Sequence, residues 1–490
     1  MFDRRGISAR AMALVMMDVA VMVSAMALSH VFRFGMWEGL ELFIEHIPTI
    51  SGSCLIFSIV FFAAGLYEGR VLSDRRQTFW MAFAGTLIAL VIIILVFYAR
   101  YKLHFGRGIL FVAALLILGG VVALRSLYRL VVGHGFFARP TLIVGEGLDL
   151  DRVVRLLRRG EGASAYRVFG IVRPAAVANG GFVDGIPVLG GLSQLREFVN
   201  AYDINTIVLA TPLPRESTLL SCLRPLRYAG VRVMDFISLH EELDQSIPVD
   251  HINDEWLMHA SMNSSRLHVR KIKRMVDVAV SLLGLLLTAP LSVLVAIAVR
   301  LDSPGPVVFR QRRSGLDGGP YTLFKFRTMR QDAEQGTGAV WAGRNDPRVT
   351  RTGRFLRTTR LDEIPQLLNV LRGDMSLVGP RPERPEFIEQ LRKSIPFYEE
   401  RLLVPPGITG WAQVMYPYAA SIEAARFKLQ YDIYYIKHAS LLFDLSILLK
   451  TFKTILSGMT HSEETGSAAA PPPQPALKVL PSEEAGRETA

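Results

Sequence analysis

MVDVAVSLLGLLLTAPLSVLVAIAVR, residues 275–300, decides how the rest of the chain is laid out. From Val276 to Val299 the stretch is apolar and long enough for a helix to cross the hydrocarbon of a bilayer, which takes about 20 residues. Both of its flanks are basic, with Arg270, Lys271, Lys273 and Arg274 before it and Arg300, Arg310, Arg312 and Arg313 after it. A spanning helix normally gathers its cations on one side only. Pro290 stands in mid-run, where it removes a backbone donor and kinks a helix. Basic flanks around a central break predict a helix that dips into one leaflet and returns, leaving both neighbours on the same side. Length alone favours the alternative, a kinked spanning helix, which would place those neighbours on opposite sides.

Upstream, four apolar runs fill the first quarter: residues 11–32, 47–67, 80–98 and 109–124. The first three approach spanning length, and the last does so with RSLY (125–128) added. Asp18 is costly in lipid and is expected to face the bundle interior. The amino end, the 68–79 loop, the 99–108 loop and the segment from Arg125 onward are basic, whereas the 33–46 loop is acidic and apolar. The balance puts both ends of a four-helix bundle in the cytoplasm. The bulk numbers agree: half of the 490 residues are hydrophobic and the mean hydropathy is +0.29, too apolar for a soluble protein of this length. A net charge of +11 suits an anionic partner. Nucleic acid is excluded, because the cations mostly flank apolar runs. Two cysteines, Cys54 and Cys222, give neither a disulfide framework nor a metal-ligand spacing.

Residues 140–235 change character. PTLIVGEG (140–147), YRVFGIV (166–172), NTIVLATP (205–212) and VRVMDF (231–236) read as strands. The helical DLDRVVRLLRRG (149–160) and SCLRPLRYAG (221–230) alternate with them, and 180–202 reads as a loop and a helix. Such alternation predicts a parallel, Rossmann-like sheet. Gly145 and Gly147 begin a dinucleotide fingerprint, but Leu150 stands where the third glycine belongs, so nucleotide binding is a weak expectation. The resulting divisions are a transmembrane bundle (1–137), a Rossmann-like α/β domain (138–250) and a linker (251–268). A mixed, mainly helical carboxy-terminal domain carrying the re-entrant helix (269–460) and a disordered tail (461–490), rich in Ala, Pro and Glu, complete the chain.

Between residues 305 and 440, cations alternate with turn residues, as a polyanion site built on loops requires. Amid them RTTRLDEIPQ (357–366) sets Asp362 beside Glu363. A basic face lying on anionic lipid would explain the arginines but not two carboxylates planted among them. KRMVD (273–277), SPGPVVFRQ (303–311), KFRTM (325–329), LRTTRLDEIPQLLNVLRGDMSLVGPRP (356–382), PGITGWAQV (406–414) and YDIYYI (431–436) together resemble the bacterial sugar transferase family, the polyprenyl-phosphate hexose-1-phosphate transferases. The bundle and the Rossmann-like domain ahead of them are similar to its long-form members, which initiate exopolysaccharide or O-antigen repeat units. Ile364 replaces the leucine frequent in the family's LDELPQ, a conservative departure.

The resemblance implies an enzyme of the bacterial inner membrane, multi-pass, with its catalytic domain in the cytoplasm. It would move hexose-1-phosphate from a UDP-hexose to undecaprenyl phosphate and release UMP, with Mg²⁺ required. Asp362 would be the nucleophile, passing through a covalent phosphosugar-aspartate, and Glu363 would help hold the metal or tune its neighbour. The physics is consistent with this assignment. A carboxylate attacks phosphorus only where the phosphate charge is neutralised, which Arg357, Mg²⁺ and Arg381 would do. Lys325 and Arg327 either line the same site or form structural ion pairs. Asp374 reads as a turn residue before a second ligand, His438 fits no ligand spacing, and Trp411 reads as loop packing. The helical 441–459 would lie along the membrane or pack as a terminal helix. The partners implied are UDP-hexose, undecaprenyl phosphate and the lipid bilayer, and a homodimer is compatible. The competing reading is a non-catalytic nucleotide-sensing assembly protein of a polysaccharide system.

Overall fold

The computed structural model describes residues 9–67, 75–99, 106–132, 138–159, 166–174, 181–211, 218–260, 267–330, 348–416 and 421–458. The expected tail, 461–490, lies outside them. Helices α1 (Ala9–Phe34), α4 (Arg75–Ala99) and α5 (Arg107–Val132) contain three of the apolar runs, and α3 (Ile47–Ala63) holds the other up to a turn at 64–67. Among the described residues, Met12–Phe34, Thr78–Val96, Gly108–Leu130 and Arg270–Asp302 are long and apolar enough to cross a membrane. Asp18 does face inward: it meets Arg125 at 2.6 Å with both side chains fully buried.

The 33–46 stretch, expected as a loop, is instead helix α2 (Met36–Glu45), bent by 75° from α3. Its spacing explains this. Met36, Trp37, Leu40 and Ile44 share one helical face and all are exposed, while Gly39 backs onto His30 and Val31. At 17 residues α3 alone covers about 25 Å, so it reaches spanning length only with α2.

The Rossmann-like unit has a six-stranded sheet ordered β3-β4-β2-β1-β5-β6. Its strands are β1 (Arg139–Gly145), β2 (Tyr166–Arg173), β3 (Phe182–Val183), β4 (Ile186–Gly191), β5 (Thr206–Ala210) and β6 (Arg232–Asp235). All neighbours pair in parallel except β3 with β4. That hairpin corrects the loop expected in the first part of 180–202. Asp184 and Gly185 both have positive φ, +48° and +74°, as a two-residue turn matching strand twist requires. The half-fingerprint glycines have structural duties. A Cβ on Gly145 would meet the Ala210 carbonyl at 2.5 Å, and Gly147, at φ +66°, opens helix α6 (Gly147–Arg159). Leu150 is core. Helices α7 (Leu195–Ala201), α8 (Thr218–Tyr228) and α9 (Phe236–Asp244) complete the unit.

The residues after α9, read as a connecting stretch, are folded. Ile247, Val249 and Ile252 are buried in one cluster with the domain that follows, and α10 (Asp254–His259) comes next. Helix α11 (Leu267–Asp302) then runs for 36 residues with Pro290 inside it. Strands β7 (Val308–Ser314) and β8 (Pro320–Phe326) form an antiparallel hairpin. Next come α12 (Arg351–Thr359), a single 3-10 turn (Leu361–Glu363) and α13 (Gln366–Arg372). Strand β9 (Ser376–Val378) pairs in parallel with β10 (Gly407–Thr409), with α14 (Pro385–Ser394) between them. Short α15 (Trp411–Met415) leads to α16 (Ile422–His438) and α17 (Leu441–Gly458). Of the two placements expected for 441–459, packing holds. Leu445 and Leu449 join the bundle's core while Ile447 and Leu448 join that of the carboxy-terminal domain.

Candidate active site

Local backbone chemistry presents the acidic turn. Thr350 caps α12 by accepting from the Gly353 amide at 3.0 Å. Arg360, at φ +59°, ends α12 in the left-handed conformation, and the chain reverses into the 3-10 turn bearing Asp362 and Glu363. Pro365 then starts α13, where a missing N–H costs nothing. Gly373, at φ +97°, stops it. Side chains from α11 hold both flanking helices. Asp302 accepts from the Thr352 amide at 3.0 Å in the first turn of α12, and Arg274 donates to the carbonyls of Val370 and Leu371 in the last turn of α13.

Both carboxylates are buried, at 7% and 8% exposure, yet their surroundings differ. Glu363 Oε1 faces three cations: Lys325 Nζ at 3.2 Å, Arg381 Nη2 at 3.3 Å and Arg360 Nη1 at 3.6 Å. Burial alone would raise its carboxyl, but Lys325, Arg381 and Arg360 outweigh that and hold it down at about 2. Glu363 is therefore ionised throughout the physiological range. Asp362 goes the other way. Burial lifts its carboxyl above the ordinary 3.8, Lys325 opposes the shift and ionised Glu363 adds to it. Its Oδ1 is buried with no hydrogen-bond partner. An incompletely satisfied carboxylate costs free energy to bury and is correspondingly basic, which is what a nucleophile needs.

Of the residues singled out from sequence, the fold brings Asp362, Glu363, Lys325, Arg357 and Arg381 together. Arg357 donates through Nε to Thr328 Oγ1 at 2.9 Å and lies near enough to Asp362 to act on its charge. Arg327 is placed differently. It donates to the carbonyls of Val299, Ser303 and Pro304 and to Ser303 Oγ, closing the carboxy-terminal end of α11. Asp374 accepts from Asn369 Nδ2 at 3.1 Å beyond the end of α13, a turn role. Trp411 is buried and donates Nε1 to Gln245 O at 2.9 Å; His438 pairs with Glu241. Arg360 was missed, although its position two residues before Asp362 in an arginine-rich run was the available signal.

A divalent cation fits only with help from substrate. Among the described residues no three His, Cys, Asp or Glu side chains gather to hold a metal. Asp362 Oδ1 is a hard, unpartnered oxygen, whereas Glu363 Oε1 is shared among three cations. One or two carboxylates completed by substrate phosphates and water is the arrangement Mg²⁺ commonly takes.

A family described as bacterial sugar transferase matches residues 268–458, and one described as CoA-binding domain matches residues 62–234. The UDP-glucose:undecaprenyl-phosphate glucose-1-phosphate transferase of Xanthomonas campestris pv. campestris is 30% identical over 460 residues, covering 90% of this chain and 93% of that protein. The protein of the same name in Escherichia coli K12 is 34% identical over 359 residues, 70% of this chain and 73% of its own length. The UDP-N-acetylgalactosamine-undecaprenyl-phosphate N-acetylgalactosaminephosphotransferase of Aeromonas hydrophila is 43% identical over 230 residues, 47% of this chain and 53% of that protein, so the match spans about half of that relative. Carrying this acidic turn within its cage of cations, the chain belongs to the bacterial sugar transferase family.

Proposed function

We propose that this chain is a phosphoglycosyl transferase that moves hexose-1-phosphate from a UDP-sugar to undecaprenyl phosphate, beginning a polysaccharide repeat unit. The observation that carries the reading is the contrast within the pair: Glu363 is neutralised by three cations while Asp362 keeps one buried oxygen free. An oxygen of Asp362 attacks the sugar-bearing phosphorus, the bond to the bridging oxygen of the diphosphate breaks, and UMP departs with that oxygen. An oxygen of undecaprenyl phosphate then attacks the same phosphorus, and the acyl phosphate bond breaks to restore the carboxylate. Arg357, Arg360, Arg381 and Lys325 supply positive charge where two anions must meet. Mg²⁺, held through Asp362 and the diphosphate with Glu363 beside it, would add further neutralisation of the phosphate oxygens.

The acceptor's tail requires a site at the bilayer surface, and although α11 is helical throughout, Pro290 included, its two ends support a re-entrant path. Near its start, Arg274 holds α13, and Asp277 accepts from Ser376 Oγ at 2.8 Å. At its far end, Arg327 and Asp302 tie it to β8 and α12. Both ends thus rest on one domain, whereas the ends of a spanning helix are separated by about 30 Å of hydrocarbon. With the basic flanks, this favours a cytoplasmic catalytic domain on the inner membrane.

The test is UMP release by membrane fractions given several UDP-sugars and undecaprenyl phosphate, with trapping of a labelled phosphosugar on the protein. Asp362→Asn is expected to lose nearly all turnover and all label. Full turnover by that variant would remove Asp362 as the nucleophile, and polymer production unchanged by Asp362→Asn with no UMP release from the native chain would favour the nucleotide-sensing assembly role instead.

A further inference from the structure

Arg381 is carried by a proline-rich loop rather than by a helix or strand, and that loop is held in an unusual way. Pro380 and Pro382 have no N–H to offer, yet all four carbonyls from Pro380 to Glu383 are met by donors. Gly407 N reaches Pro380 O at 2.9 Å and Ser314 N reaches Glu383 O at 3.0 Å. Arg401 Nη2 donates to Arg381 O at 2.9 Å, and Arg313 Nη1 donates to Pro382 O at 3.0 Å. Two of the four clamps are therefore charged side chains gripping main chain.

Arg401 is itself deeply set. It is 6% exposed, ion-pairs with the 1%-exposed Asp432 at 3.0 Å and donates Nη1 to Tyr398 Oη at 2.6 Å. Burying such a pair brings little net stability compared with apolar residues of the same volume. What it does supply here is a rigid fork aimed at one carbonyl. Arg381 needs that rigidity, because its side chain is 39% exposed while it reaches Glu363 Oε1 at 3.3 Å. Immobilising a long side chain on binding costs conformational entropy, so a backbone fixed in advance leaves less freedom to lose when a diphosphate arrives.

We propose that Arg401, held by Asp432, and Arg313 are positioning residues that pre-aim Arg381 at Glu363 and at the donor's phosphates. The inference rests on the transferase reading above for what Arg381 grips, but the aiming itself can be read without turnover.

The experiment is a pair of double-mutant cycles on the full chain in detergent. In the kinetic cycle, Arg381→Met is expected to lower kcat on the order of 100-fold and Arg401→Met roughly 10-fold. The double variant should be no worse than Arg381→Met alone, since residues acting as a unit are non-additive. The same factor lost in both backgrounds would overturn the proposal. In the thermal cycle, Glu363→Gln should lower Tm less in the Arg401→Met background than in the native one, and equal drops would overturn it. Where Arg401→Met does not fold, Arg313→Met is carried through both cycles with the same expectations. A native chain that releases no UMP from any UDP-sugar would remove the transferase reading, and the thermal cycle would then decide the clamp by itself.

Discussion

Replacing Glu363 with glutamine removes one negative charge from among three cations without changing the side chain's shape. A carboxyl held at about 2 instead of 4.5 corresponds, at about 1.4 kcal/mol per tenfold, to roughly 3 kcal/mol of folding stability. Arg360 and Arg381 are 50% and 39% exposed, so water screens part of this and about 2–3 kcal/mol is expected. Because the folded value is depressed, the contribution is fully present above the unfolded value and is lost as pH falls from there toward 2. For a domain of 150–250 residues, 1 kcal/mol moves Tm by about 2–4 °C, so Glu363→Gln should melt roughly 5–10 °C lower at pH 7. By pH 3 more than half of that gap should have closed. The assay is thermal unfolding of the detergent-solubilised full chain at matched scan rate, native against variant, at the two pH values. Equal melting at pH 7, or a gap that does not narrow in acid, would refute the caged-carboxylate account.

Asp362→Asn should abolish transfer while leaving Tm unchanged or raised, because burial holds the native carboxyl above its ordinary value and its charge opposes folding at neutral pH; a large loss of Tm would contradict this. For the same reason the acid limb of kcat/KM for the donor half-reaction should have its midpoint above 3.8, and a midpoint at or below that value would remove Asp362 as the titrating group. Arg327→Met strips the donors from three carbonyls at the end of α11 and should cost at least about 2 kcal/mol; a pure rise in donor KM with native melting would return Arg327 to the substrate site. Chelation by EDTA should stop UMP release, with Mg²⁺ restoring it, and undiminished turnover in EDTA would exclude the metal.

Much of the site was legible because its chemistry is local. Asp362 and Glu363 are adjacent, Pro365 signals the start of a helix, and Arg357 lies only five residues upstream. Arg327 shows the limit. Two residues from Lys325 in KFRTM, it has the same charge, but Lys325 turns to Glu363 while Arg327 turns to the end of α11. Only the fold, which lays the carbonyls at the end of α11, 23–28 positions earlier, beside Arg327, decides between them. The clamps on Arg381 were hidden for the same reason, since Arg401 and Arg313 lie 20 and 69 positions from the carbonyls they hold. In the fold, the bundle and the parallel sheet followed from apolar length and strand–helix alternation. Helix α2 was hidden by its three glutamates, and the β3–β4 hairpin by strands too short to show a period. The docking of residues 247–252 depends on partners in α16, through contacts such as Ile247 N to Gln430 O at 3.0 Å.

The attachment of α11 at both ends gives the enzyme a sensitivity that a freely anchored one would lack. Arg274 grips the helix that follows the acidic turn, and Asp302 grips the one that precedes it. Any change in how deeply α11 sits is therefore delivered to the turn as a pull on its two supports. If α11 sits in one leaflet as proposed, membranes of different thickness should change turnover even when donor and acceptor are saturating.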